Sequence, residues 1–128
     1  MRHPDDPHRT ILVADDSIEM LTLYGLVVER MGYTALKAGS LDDVYQLLDE
    51  TEVLDLILLG TYLDGQMYTD TAARLRQHPA TADLPIIVVT HRSNPETLLQ
   101  AFEVGINHVL AAPLGPHSLI TTIQDFVG

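Results

Sequence analysis

The chain has 128 residues, no cysteine, 46% hydrophobic residues, and a formal charge of −11 from seven basic and eighteen acidic side chains. That length supports one domain with an ordinary core, and the composition needs neither disulfide nor metal to bury it. Thiol chemistry is excluded, and the negative field opposes direct binding to nucleic-acid backbones or anionic lipid.

Met1 to Arg9 is polar, carries two prolines and lacks a signal-peptide core, so 1–9 is predicted to be a disordered lead-in to a domain over 10–128. No apolar run is long enough to span a bilayer, and a cytoplasmic location is expected. Thr10 to Ala14 reads as a buried strand that ends in Asp15-Asp16. Ser17 then caps a helix to about Met31, closed by Gly32. Tyr33 to Ala38 is a short second strand, and Ser40 with Asp43 approximates a capping box for a helix to about Asp49. Five carboxylates follow Asp42 as far as Asp55 and suit a solvated helix and loop.

Val53 to Leu59 is a continuous apolar run, as expected of a strand buried on both faces, and it runs into Gly60. A helix is predicted near Thr69 to His78, stopped by Pro79. Leu84 to Thr90 is a fourth strand, with Pro85 near its start, where a missing donor is tolerated. Asn94-Pro95 opens a helix to Val104, Ile106 to Ala111 is the fifth strand, and Pro116 begins the last helix. Strand and helix alternate five times, so the predicted fold is α/β: a flavodoxin-like (βα)5 doubly wound sheet of five parallel strands. Shared strand polarity should bring Asp15, Asp16, Gly60 and Thr90 to one crevice. Neither a dinucleotide fingerprint nor a Gly-Lys-Ser/Thr phosphate loop is present.

With these elements in place, residues 9 to 127 resemble the receiver domain of two-component response regulators. Asp15-Asp16 is similar to that family's acidic pair, Asp55 to Leu59 to the strand before its phosphoacceptor aspartate, Leu84 to Thr90 to the strand ending in its switch threonine, and Gly105 to Pro113 to its last strand and loop. The resemblance implies a protein of phosphorelay signal transduction. It also implies departures. Gly60 stands at the phosphoacceptor position, Ala112 at the lysine and Val109 at the aromatic switch, while His91 follows Thr90 where a small residue is usual. Asp15, Asp16 and Thr90 are retained.

Phosphoryl transfer needs a carboxylate nucleophile, a cation with oxygen ligands and a positive group on the transferred phosphoryl. Gly60 and Ala112 supply none of these, so no catalytic residue and no cofactor are expected. Asp15 and Asp16 should hold Mg²⁺ weakly at best, and His91 is expected to plug a retired pocket. The reading is a pseudo-receiver, not an enzyme, that acts as a phosphorylation-independent protein-interaction module. Two alternatives stand beside it: a phosphoreceiver with a displaced acceptor such as Asp64, and a domain that holds a small ligand in the crevice.

The first and last helices are poor in charge. Met20, Leu23, Tyr24, Val27 and Met31 should face the sheet, leaving Ile18, Leu21, Leu26 and Val28 off that stripe. An exposed patch of Ile18, Leu21, Ile120 and Val127 is expected to meet a protein partner, a second copy of the chain included.

Overall fold

The computed structural model describes residues 8–113 and 115–127. The elements in chain order are β1 (Thr10–Ala14), α1 (Ile18–Arg30), β2 (Thr34–Ala38), α2 (Leu41–Glu50), β3 (Leu56–Leu59), β4 (Tyr62–Leu63), β5 (Gln66–Met67), α3 (Tyr68–Arg76), β6 (Ile86–Thr90), α4 (Pro95–Glu103), β7 (His108–Ala111) and α5 (Pro116–Val127).

Three strands are buried on both sides because their side chains alternate between two cores. Ile11, Val13, Leu56, Leu58, Ile87 and Val89 face one way, onto Tyr24, Val27 and Val28 of α1 and Leu119 and Ile123 of α5. Leu12, Ala14, Ile57, Leu59, Ile86 and Val88 face the other, onto α2, α3 and Ala101 of α4. The parallel sheet runs β2-β1-β3-β6-β7. This is the predicted flavodoxin-like order, and it reverses direction between β1 and β3, where a crevice opens beyond the strand ends.

The predicted caps form. Ser17 accepts from the Met20 N–H, Ser40 from the Asp43 N–H, and Asn94 exchanges both bonds of a capping box with Thr97. β3 begins at Leu56 instead of Val53, because Asp55 turns its carboxylate onto the Thr10 N–H at 2.8 Å and ends the apolar run early. The segment after Gly60 forms a β4–β5 hairpin. Asp64 (φ 53°) and Gly65 (φ 73°) both adopt the positive φ that a two-residue turn of this twist requires.

The face of α1 differs from its predicted stripe. Leu23, expected to face the sheet, is 48% exposed, and Val28, expected off that stripe, is fully buried; Leu26 is exposed as expected. The helix leans toward β2, with Gly25 so close to Lys37 that an added Cβ would stand 3.0 Å from Cδ. That approach turns positions 24, 25, 27 and 28 inward. Within the predicted patch Ile18 is 79% exposed. Leu21, Ile120 and Val127 are instead half-buried, packed against the core beneath α1 and α5.

Most of the predicted lead-in, residues 1–7, lies outside the described residues. Arg9 belongs to the domain: its carbonyl accepts the Thr34 N–H at 2.9 Å, and its Nε donates to the Val127 carbonyl at 2.9 Å. Among the described residues no helix is long and apolar enough to cross a membrane.

Candidate functional site

The crevice is built where β1 and β3 end side by side. The Gly60 N–H donates to the Ala14 carbonyl at 2.9 Å and the Asp15 N–H to the Ala38 carbonyl at 3.2 Å, extending both ladders one residue past the strands. Asp15, 5% exposed, therefore lies against Gly60. A Cβ added at Gly60 would fall 1.8 Å from Asp15 Oδ2 and 2.4 Å from its Cγ. The carboxylate fills the space that a side chain at Gly60 would need. His91, expected as the plug, is exposed at the crevice wall.

Burial raises the Asp15 carboxyl above its ordinary value of 3.8; the Ser17 N–H on its Oδ1 at 2.8 Å opposes this, Asp16 adds to it and His91 opposes it. A carboxyl that binds its proton more readily folded than unfolded destabilises the fold once ionised. That penalty is present above the folded pKa and disappears as pH falls through it. Asp15→Asn, which keeps an acceptor for Ser17, should therefore melt above the wild type at neutral pH. Thermal melts over a pH series should show the advantage shrinking toward the ordinary carboxylate range.

The other retained residues are also held by protein groups. Asp16 Oδ2 accepts the Gly65 N–H at 3.3 Å, and its own N–H donates to the Tyr62 carbonyl at 3.0 Å. Thr90 Oγ1 lies 2.8 Å from Thr61 Oγ1 and accepts the Arg92 N–H at 3.0 Å. Ala112, half-buried behind a cis bond to Pro113, offers only a methyl group. Val109 is half-buried on β7, packed against the core beneath α2, α3 and α4.

Mg²⁺ demands near-octahedral oxygen ligation. Gly60 brings no side-chain oxygen, which leaves at most the carboxylates of Asp15 and Asp16, one oxygen of each already accepting a backbone N–H. Among the described residues no three His, Cys, Asp or Glu side chains are grouped to hold a metal ion. The donor set does not fit such a site, and His91 does not complete one with the acidic pair.

Asp64, weighed as a displaced acceptor, reaches away to the N-terminus of α2, where its Oδ2 accepts the Leu41 N–H at 2.9 Å. Asp64→Ala should cost about 1 kcal/mol, the usual worth of such a cap, with further strain from the positive φ. Chemical denaturation is the measurement that checks it.

Two crevice residues had no place in the sequence reading of the site. Tyr24 belongs to the core by its helical spacing, yet it also lines the cavity, and Thr61 is the partner of Thr90. Tyrosine at a core position is the signal that was available for the first, since a buried phenol needs a partner for its hydroxyl. The identity of Thr61 carried no comparable signal.

A family model described as the response regulator receiver domain matches residues 11–124. The chain is 28% identical over 116 residues to the phosphate regulon transcriptional regulatory protein PhoB of Pseudomonas aeruginosa, covering 91% of this chain and 50% of that protein. It is 28% identical over 114 residues to the transcriptional regulatory protein CpxR of Escherichia coli K12, covering 89% and 47%. The chain thus spans about half the length of the curated relatives it matches. Among solved structures, the chemotaxis protein CheY4 of Vibrio cholerae superposes with a TM-score of 0.84 at 20% identity, covering 93% of this chain and 98% of that one. A response regulator receiver protein from Pseudomonas putida gives 0.83 at 19%, covering 94% and 98%. These two likenesses concern the fold.

Proposed function

Because the chain belongs to the response regulator receiver domain family, we propose that it is a pseudo-receiver of two-component signalling that works through protein contacts without being phosphorylated. The observation that carries this reading is the Asp15 carboxylate lying where a side chain of Gly60 would stand. The nucleophile position is empty of chemistry and filled by a neighbour, and Ala112 supplies no charge for a phosphoryl group. The domain is accordingly a signalling module and not a self-phosphorylating catalyst. The displaced-acceptor alternative is disfavoured by the bond from Leu41 to Asp64.

Contacts would then be made by surface. α1 and α5 lie on the same face of the sheet, and an apolar groove of about 60 Å³ runs between Leu23 and Val27 on one side and Pro116 and Leu119 on the other. Leu23 carries that apolar surface into solvent, and Ile18 and Leu26 are further exposed apolar side chains of α1.

Two measurements test the proposal. Acetyl phosphate with Mg²⁺ should leave the intact mass unchanged; a stoichiometric gain of about 80 Da overturns inertness. Ile18→Glu with Leu23→Glu should abolish capture of the signalling partner while leaving the melting temperature near the wild-type value, since both side chains are exposed. Sedimentation across a salt series assigns the partner: association that tightens with salt marks a second acidic copy, and loosening marks a partner with a basic rim. Unchanged capture by the double variant overturns the placement on α1.

A further inference from the structure

The crevice encloses about 240 Å³ between Asp15, Asp16, Tyr24, Tyr62, Thr90 and His91. Two residues of its lining, largely buried themselves, present polar atoms with bonding capacity left over. Asp15 Oδ1 is taken by the Ser17 N–H, but no donor among the described residues reaches Oδ2. Tyr24 is 6% exposed, and its hydroxyl has no hydrogen-bond partner among the described residues. Both residues line the same cavity, and burial, then the charge of Asp15, raises the phenol above its ordinary pKa. Both atoms remain open to solvent, so a guest in the crevice must replace the bonds that water would make to them.

The lining also selects the kind of molecule that can satisfy them. Two carboxylates face the space, and among the described residues His91 is the only basic side chain lining it, so an anion meets net repulsion. A purely apolar guest leaves the carboxylate oxygen and the phenol unpaired, which is the costly outcome. A metal ion lacks a ligand set here. A primary ammonium carries three donors and a positive charge, and a short alkyl chain behind it meets Met20, Val89 and Ala112. Tyrosine rings on the lining add favourable faces for a cation. The volume corresponds to roughly eight waters, room for a molecule of a few heavy atoms.

We infer that the crevice is a binding site for a small organic ammonium, with Asp15 Oδ2 and the Tyr24 hydroxyl as its acceptors. This goes beyond the interaction role and is independent of it, because partner capture on α1 needs no ligand in the crevice.

The test is an amide-shift titration of the ¹⁵N-labelled chain with propylammonium chloride, beside propanol, propionate and MgCl₂ at matched ionic strength. Propylammonium should move the amides of Asp15, Ser17, Thr61 and Thr90 saturably, with a dissociation constant on the order of 1 mM for so small a ligand. Propanol should bind at least about tenfold more weakly for want of the charge-assisted bond, and propionate should not bind. Tyr24→Phe, which keeps the ring, should weaken propylammonium about fivefold, and Asp15→Asn about tenfold. Should Asp15→Asn fail to fold, Tyr24→Phe alone decides. Equal binding of propanol, unsaturable shifts, full affinity in Tyr24→Phe, or Mg²⁺ moving the same amides more tightly than propylammonium would each overturn the inference.

Discussion

Gly60→Asp should remain unphosphorylated by acetyl phosphate and Mg²⁺, and it should melt below the wild type. The new Cβ would meet Asp15 Oδ2 at 1.8 Å, its Cγ at 2.4 Å and its Cβ at 3.1 Å. Asp15 has to leave its place, giving up the Ser17 N–H. Overpacking of this kind costs about 1–3 kcal/mol, and two carboxylates forced together in a buried site oppose each other's ionisation. The obstacle is not the backbone, because Gly60 is absent from the residues of positive φ. Gly60→Ala isolates the steric part and should also lower the melting temperature. Ala112 leaves any transferred charge unstabilised, a deficit on the order of a hundredfold in rate. Adding Ala112→Lys to Gly60→Asp should therefore raise phosphorylation above that of the single variant. Rapid, stoichiometric phosphorylation of Gly60→Asp alone, read by intact mass, would show that Asp15 yields easily and that the pseudo-receiver reading is shallow.

The second large effect is expected far from the crevice. Arg76→Ala should destabilise the fold by about 3 kcal/mol, lowering the melting temperature by roughly 10 °C for a chain of this size. Its guanidinium gathers three segments. Nη1 donates to the Thr81 and Ala82 carbonyls at 2.7 and 3.3 Å, Nε and Nη2 both reach the Gly105 carbonyl, at 3.1 and 2.7 Å, and Nη2 reaches Asn107 Oδ1 at 3.0 Å. The same Asn107 oxygen accepts the Ile86 N–H at 2.8 Å, so the cluster secures the entries to β6 and β7. Arg76→Lys should recover only part of the loss, since a point donor cannot serve several carbonyls at once. A change below about 0.5 kcal/mol in Arg76→Ala, measured by denaturant unfolding, would mean that solvent satisfies these carbonyls equally well.

The fold was legible because its signals are local or periodic. The apolar runs at Ile11 to Ala14, Leu56 to Leu59 and Ile86 to Thr90 leave little choice for a five-unit alternation, and Ser17, Ser40 and Asn94 mark helix starts by their own chemistry. The convergence of Asp15, Asp16, Gly60 and Thr90 followed from strand polarity alone. What those side chains do there was not legible. The position of the Asp15 carboxylate depends on packing between β1 and β3, across forty-odd residues of sequence. The role of Asp64 depends on an N–H at Leu41, and that of Arg76 on carbonyls brought near only by the finished sheet. The face of α1 was misjudged for a related reason. Its apolar residues offer two overlapping stripes, and the lean of Gly25 onto Lys37 chooses between them. Asp-Gly is a sequence that favours a tight turn, but β4 and β5 are only two residues each, too short to show alternation.

The hairpin joins parts of the chain that would otherwise fluctuate separately. Its turn lends a carboxylate to the first N–H of α2 through Asp64 and takes one from the end of β1 through Asp16. Swinging the hairpin outward thus strips the Leu41 N–H of its carboxylate, leaving α2 only its Ser40 cap, and frees the Asp16 carboxylate in a single event. Local opening is cooperative over whichever residues share their closing bonds. The loop after β3, the first turn of α2 and the exit of β1 accordingly form one opening unit, although they are drawn from three distant stretches of sequence.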